Sequence, residues 1–88
     1  MNHVVIDCTK LVDEKSVHDT FAQALDFPAY YGRNLDAMYD LLSASSELTL
    51  TLVNAQAIGR LFRYGDNLML TLRDAEQANP LFTLVVED

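Results

Sequence analysis

Several features that would assign a function directly are scarce or absent in this 88-residue sequence. There is one cysteine, so an intrachain disulfide is impossible and a reducing compartment is expected. The three glycines are isolated, so none belongs to a loop of the kind that cradles a phosphate. The histidine and cysteine spacings typical of metal sites are missing as well, and we expect no metal and no cofactor.

Positive charge is also scarce, because six lysines and arginines stand against 13 aspartates and glutamates, for a net charge of −7. Nucleic acid and anionic membranes both bind basic surfaces, so neither is expected as a partner. No apolar run approaches the roughly 20 residues of a membrane-spanning helix, and the first ten residues lack the layout of a signal peptide. We therefore expect a cytoplasmic protein, monomeric when free, whose charge either favours a basic partner or keeps the chain soluble.

The hydrophobic patterns predict a single α/β domain over residues 1–88, with a three-stranded parallel sheet packed against about four helices. Short apolar or alternating runs predict strands at residues 3–7, 48–53 and 81–86. Stripes with helical spacing predict helices at residues 14–27, 34–43, 55–62 and within 64–79. The expected N-caps are Asp13 or Ser16 for the first helix, Asn34 for the second and Asp66 for the fourth.

The candidate functional residues lie in FPAYYGRNLDAMYDLL, residues 27–42. Around helix 34–43, leucine and methionine side chains cluster on one side, which we expect to face the core. Asp36, Asp40 and Ser43 cluster on the opposite side, with Tyr39 on the border between the two. Two aspartates one turn apart weaken a helix by a few tenths of a kcal/mol, so their presence needs a reason.

Two interpretations of this acidic side remain open. A solvated face explains Asp36, because a negative charge is favourable near the N-terminus of a helix. It does not explain Asp40, which lies past the first turn with no basic residue four positions away. A protein-binding face explains Asp40 and the neighbouring Tyr30 and Tyr31, since tyrosines beside desolvated charges are common at the centres of interfaces.

A catalytic interpretation has less support. Paired carboxylates perform acid–base chemistry in clefts, whereas Asp36 and Asp40 are expected on an exposed helix face. A cysteine and a histidine can form a nucleophilic pair, but no orienting third group accompanies Cys8. We expect Cys8 to be a packed residue at a strand end and His18 to be a surface residue, and we expect no enzymatic activity.

The pattern in residues 28–40 resembles that of the barstar-like family of ribonuclease inhibitors. The shared positions are Pro28, Tyr30, Tyr31, Gly32, Asn34, Leu35, Asp36, Ala37 and Asp40. The length of the chain and the order of its elements are similar too, so the resemblance covers essentially all 88 residues. It implies three parallel strands against about four helices. It also implies inhibition of a barnase-like ribonuclease by the acidic helix and the tyrosine-rich loop before it, which occupy the active site in place of substrate phosphate.

The resemblance further implies which side chains contact the enzyme. Asp40 matches an aspartate that lies among phosphate-binding cations, Asp36 matches a second interface aspartate, and Tyr30 matches a tyrosine that packs on a catalytic histidine. Asp74, on the fourth helix, falls where the family has an interface glutamate. The full set of expected partner-binding residues is Tyr30, Tyr31, Asn34, Leu35, Asp36, Tyr39, Asp40, Ser43 and Asp74.

Several positions depart from the family pattern, and two of them bear most directly on the choice of partner. Arg33 stands where the type inhibitor has an acidic residue, and Ser45 stands where it has a tryptophan. A positive charge beside the acidic helix and the loss of a large aromatic side chain leave a second function open. In that alternative, the same fold binds a different basic toxin or a regulatory protein.

Overall fold

The sheet consists of three parallel strands in a computed structural model that describes residues 2–88. The strands are β1 (Asn2–Asp7), β2 (Leu48–Val53) and β3 (Phe82–Val86). They are hydrogen-bonded in the order β1-β2-β3, so that Leu50 lies between Val4 and Leu84 in register. The predicted three-stranded parallel sheet is confirmed, with its strand ends shifted by at most one residue.

The two faces of the sheet differ because alternate side chains of a strand point to opposite sides. Leu50 and Leu52 of β2 are fully buried, as is Ile6 of β1, which shows that one face packs under the helices. On the other face the side chains of Val5 and Thr83 are exposed. The leucines of β2 therefore face the helices, while on the other face Thr49 is half-buried and Thr51, in the central strand, is buried.

Helices connect the strands and cover the buried face. The α-helices are α1 (Glu14–Leu25), α2 (Leu35–Ser43) and α3 (Arg63–Ala78), and 3-10 helices span Cys8–Lys10 and Ala55–Leu61. The expectation of about four helices is confirmed, but the third of them is a 3-10 helix instead of an α-helix. Gly59 lies inside this connecting segment, whose seven residues make it long for a 3-10 helix.

The N-caps agree with the sequence for two helices and differ for one. Asp13 caps α1, because its carboxylate accepts from the Ser16 backbone N–H at 2.8 Å while the Ser16 hydroxyl accepts from the Asp13 N–H. Asn34 caps α2. The expectation that Asp66 caps the last helix is wrong, because α3 begins at Arg63 and places Asp66 within its first turn. The carboxylate is still favourable there, near the positive end of the helix.

The core lies between the sheet and the three α-helices. Each helix contributes fully buried side chains, among them Phe21 of α1, Met38 of α2 and Leu72 of α3. Burial of a side chain of this size stabilises the fold by about 1.5–3 kcal/mol. The stripe predicted for the last helix, which also includes Leu68 and Ala75, is confirmed.

A close approach explains the glycine near the start of α3. A Cβ atom at Gly65 would lie 2.5 Å from the backbone oxygen of Ile58, a distance too short for a Cβ atom to occupy. The 3-10 helix Ala55–Leu61 therefore packs directly on the backbone of α3. Within residues 2–88, no helix combines the length and the apolar character needed to cross a membrane.

Phe62, which joins the 3-10 helix Ala55–Leu61 to α3, adopts a backbone conformation that favours glycine, with φ 53° and ψ −127°. Its side chain is 81% exposed and contributes little packing. We expect Phe62→Gly to raise the free energy of unfolding by about 1 kcal/mol, because relief of backbone strain outweighs the extra chain entropy of glycine. Urea denaturation measures the change.

Phe62→Ala is the matched control, since it removes the same ring and leaves a Cβ in the same conformation. It should give no comparable gain in stability. Equal stabilisation of the two variants would show that the exposed ring, and not the backbone, is the source of the effect.

Candidate protein-binding site

The loop between α1 and α2 places two adjacent tyrosines on opposite sides. Helix α1 ends at Leu25, where Asp26 turns the chain in the left-handed conformation (φ 54°, ψ 48°), so the helix stops before Pro28. The chain then turns again, and the Tyr31 N–H donates to the Pro28 carbonyl at 2.9 Å. The side chain of Tyr30 is 82% exposed, whereas that of Tyr31 is only 8% exposed.

Tyr31 belongs to a buried hydrogen-bonded group with His18 of α1 and Tyr64 of α3. The two ring nitrogens of His18 lie 2.6 Å from the two hydroxyls, Nδ1 from that of Tyr31 and Nε2 from that of Tyr64. The Tyr31 hydroxyl also lies 3.5 Å from the Asn34 carbonyl, to which it donates. In the arrangement that uses every group, Nδ1–H donates to Tyr31 and the Tyr64 hydroxyl donates to Nε2.

The expectation that His18 is a surface residue is wrong, because it is only 3% exposed. Its position three residues before Phe21 places it beside the apolar stripe of α1, but its partners are 13 and 46 residues away in the chain. Burial lowers the pKa of His18, and the positive charge of Arg33 lowers it further. The imidazole is therefore held neutral between two tyrosines, which also fixes the loop that contains Tyr31.

Burial likewise determines the state of the other reactive groups near the core. It raises the pKa of the Tyr31 hydroxyl to about 12 and that of the Cys8 thiol to about 11. Cys8 is completely buried, so the expectation of a packed residue at a strand end is confirmed. Within residues 2–88, no cluster of three or more histidine, cysteine or acidic side chains is arranged to hold a metal ion.

Hydrogen bonds fix both ends of α2. At the N-terminus, the Asn34 side chain accepts from the Ala37 N–H at 2.7 Å and donates to the Gly32 carbonyl at 3.3 Å. At the C-terminus, the buried Asn79 amide donates to the Leu42 carbonyl at 2.9 Å and to the Ser45 carbonyl at 3.0 Å. No local sequence pattern predicts this role of Asn79, because the two carbonyls lie more than 30 residues earlier in the chain.

The outer face of α2 carries two exposed carboxylates, those of Asp36 and Asp40, while Met38 and Leu42 are buried behind them. One turn of helix separates the two aspartates by about 6 Å along the axis. Both ion pairs within the described residues 2–88 involve Asp19, so neither Asp36 nor Asp40 is neutralised by one. The two carboxylates therefore lie on the exposed side of α2, as the helical geometry predicted. Within these residues no ion pair compensates their charge.

The remaining predicted site residues border this face in different ways. Ser43 is half-buried, and its hydroxyl donates to the Asp40 carbonyl at 3.3 Å. Helix α2 packs against α3, and Tyr39 lines a shallow groove together with the exposed Asp74. Asp74 is thus brought close to Tyr39, at the border of the acidic side, although the two lie 35 residues apart in the sequence.

A second concavity, of about 370 Å³, lies at the other end of the face, and we call it the N-terminal hollow. Its lining residues are Glu14, His18, Arg33, Asn34, Leu35, Asp36 and Tyr64. Arg33 has a left-handed backbone conformation (φ 56°), and its guanidinium donates to the carboxylate of Asp19 on α1. The positive charge noted in the sequence therefore lies beside the acidic face and is paired with α1.

The predicted site residues differ in their exposure. Tyr30, Asp36, Asp40 and Asp74 are exposed, and Leu35, Tyr39 and Ser43 are half-buried. Asn34 is exposed but uses its side chain to cap α2. Tyr31 is the exception, since its side chain lies in the core and positions the loop from behind.

Comparison with known families gives the same assignment as the fold and the site. The chain matches the family described as "Barstar (barnase inhibitor)" over residues 1–87. It belongs to the barstar family. Among its relatives is the Bacillus subtilis (strain 168) protein named "Putative ribonuclease inhibitor YrdF". The two are 35% identical over an alignment of 91 residues, which covers 99% of this chain and 100% of the relative. The resemblance of residues 28–40 to the barstar family is confirmed.

The buried neutral His18 gives this barstar-family domain a defined dependence of stability on pH. Above about pH 6.5 the imidazole is neutral in both the folded and the unfolded chain. Below that pH the unfolded chain binds a proton that the folded chain resists, so the free energy of unfolding falls. We expect His18 to contribute a loss of at most about 1.4 kcal/mol per pH unit between pH 7.5 and 5.5.

Urea denaturation of the wild-type chain and of His18→Asn at pH 7.5 and 5.5 tests this expectation. The variant retains His3 and every carboxylate, so the difference between the two pH dependences isolates His18. A variant that loses as much stability on acidification as the wild type would contradict the assignment.

Proposed function

We propose that this protein inhibits a basic ribonuclease by occupying its active site with the outer face of α2 and the exposed Tyr30. The observation that carries the proposal is the pair of exposed carboxylates, Asp36 and Asp40, which lack compensating ion pairs on a helix fixed at both ends. Membership of the barstar family and the name of the Bacillus subtilis relative support the same function.

The chemistry of a ribonuclease active site explains why carboxylates suit this task. Such a site binds phosphate and therefore presents cationic side chains. A carboxylate in place of the phosphate forms charge-assisted hydrogen bonds, which are shorter and stronger than neutral ones, and arginine can bind it through two parallel bonds. The like charges of Asp36 and Asp40 repel one another in the free protein, and cationic partners would relieve that repulsion on binding.

The same surface explains both rapid association and steric exclusion of substrate. A net charge of −7 attracts a basic enzyme at long range and raises the association rate at low ionic strength. Tyr30, whose ring is almost fully exposed, offers a large apolar surface for packing on the enzyme beside the carboxylates. Asp74 and Tyr39 extend the contact along the groove between α2 and α3. In this mechanism the protein performs no chemical step, and the rigid surface alone blocks the active site.

Rigidity is part of the mechanism, because a surface that is ordered before binding has less entropy to lose on association. The bonds of Asn34 and Asn79 hold the two ends of α2, and the bond between Tyr31 and His18 holds the loop. We therefore assign Tyr31 a positioning role in the proposed site, in place of the direct contact suggested by its sequence position.

Asp40→Asn tests the proposal, because it removes a charge and preserves the shape of the side chain. We expect it to weaken binding to a basic ribonuclease such as barnase by roughly 2–5 kcal/mol, since a cation in the enzyme loses its partner in a desolvated contact. The free energy of unfolding should change little, because Asp40 is exposed and makes no ion pair within residues 2–88. Titration of ribonuclease activity and chemical denaturation provide the two measurements.

Asp88→Asn is the matched control, since it removes one negative charge from an exposed residue outside the proposed site. It should reduce only the association rate, and only at low salt. Equal losses of affinity in the two variants would reduce the role of Asp40 to overall charge. Full ribonuclease activity in the presence of excess wild-type protein would contradict inhibition of that enzyme.

A further inference from the structure

Arg33 is an unusual residue for its position in the loop. Its backbone is left-handed, a conformation that costs free energy for a residue with a Cβ atom and none for glycine. The chain nevertheless has a long cationic side chain there, directly before the N-cap of α2.

Arg33 belongs to a small group of charged side chains at the rim of the acidic face. Its guanidinium is paired with Asp19, which also accepts from Lys15 at 2.7 Å. Two positive charges and one negative charge therefore form a cluster with a net charge of +1 on a protein of net charge −7. Arg33 and Asp36 line the same N-terminal hollow, so the cluster adjoins the acidic face directly.

A cation at this rim has opposite effects on different enzymes. A ribonuclease whose cleft is cationic up to its edge would meet Arg33 with a like charge, which lowers affinity. An enzyme with a carboxylate opposite Arg33 would gain an attractive contact there and keep its attraction to Asp36. Specificity frequently arises from repulsive contacts of this kind as well as from attractive ones.

On the basis of the proposed function, we propose that Arg33 is a specificity-determining residue of the inhibitory surface. It disfavours ribonucleases with an entirely cationic rim and selects one that presents a carboxylate opposite the N-terminal hollow. Asp19 acts as a positioning residue, because its carboxylate holds the guanidinium and offsets part of its charge.

Binding of barnase to three variants tests the proposal, with affinity measured at low and at moderate salt. Arg33→Gln and Lys15→Gln each remove one positive charge from the same cluster, so both change the overall charge equally. Lys15, one turn before Asp19 on α1, does not line the N-terminal hollow. We expect Arg33→Gln to strengthen binding by about threefold or more, Arg33→Glu to strengthen it further, and Lys15→Gln to change it by less than about twofold.

Asp19→Asn completes the test of the positioning role. Loss of this carboxylate leaves Arg33 uncompensated, so barnase binding should weaken in the wild-type background and change little in the Arg33→Gln background. Equal effects in the two backgrounds would overturn the role of Asp19.

The possible failures are distinguishable from one another. Equal effects of Arg33→Gln and Lys15→Gln, or weaker binding by Arg33→Gln, would overturn the specificity role while inhibition itself stands. If barnase bound neither the wild-type chain nor Arg33→Glu, both the proposed function toward this enzyme and the inference that rests on it would fail. Stronger binding confined to the two Arg33 variants supports the proposal.

Discussion

The contact on which the candidate site depends is that of the buried His18 imidazole with the hydroxyls of Tyr31 and Tyr64. It joins α1, the loop before α2, and α3 in a chain that has no disulfide to do so. Each buried hydrogen bond contributes about 1 kcal/mol net, whereas loss of one partner leaves a desolvated group at a cost of about 1–3 kcal/mol. Loss of any one of the three side chains would therefore leave another without its partner. The intact contacts attach the loop to α1 and α3.

The fixed loop divides two adjacent tyrosines between the core and the surface. Tyr31 points inward to His18, whereas the side chain of the preceding Tyr30 is almost fully exposed. The Tyr31 hydroxyl also reaches the carbonyl of Asn34, whose side chain caps α2. Stability of the domain and presentation of the proposed inhibitory surface thus rest on the same group of residues.

The acidic face contributes little to the stability of the free chain, because only Asp36, in the first turn of α2, benefits from the positive end of the helix. Asp36 and Asp40 repel one another by a few tenths of a kcal/mol and have no ion pair within residues 2–88. In contrast, Arg33 beside this face is paired with Asp19. The two carboxylates therefore remain available for the cationic partner of the proposed function, and the family is described as "Barstar (barnase inhibitor)".

Much of the fold could be predicted from the sequence, because it depends on local patterns. The alternation of leucine and threonine in β2, the stripe of Leu68, Leu72 and Ala75 in α3, and the cap at Asn34 are all set by neighbouring residues. A local pattern is misleading where one residue type suits two positions. Aspartate is favourable both as an N-cap and in the first turn of a helix, and Asp66 lies in the first turn of α3. The segment Ala55–Leu61 has a helical pattern but forms a 3-10 helix, and its close packing on Gly65 of α3 is a tertiary contact that the local pattern does not contain.

The sequence by itself determined that this is an acidic α/β domain with the barstar motif and that Asp36 and Asp40 lie opposite the apolar side of one helix. Helical periodicity is sufficient to place the two aspartates on that side of the helix. Only the tertiary structure decided that Tyr31 and His18 are buried, that Arg33 is held by Asp19, and that Asp74 adjoins Tyr39. These relations depend on contacts between residues 13 to 46 positions apart, which the spacing of residues along one helix or strand does not reveal.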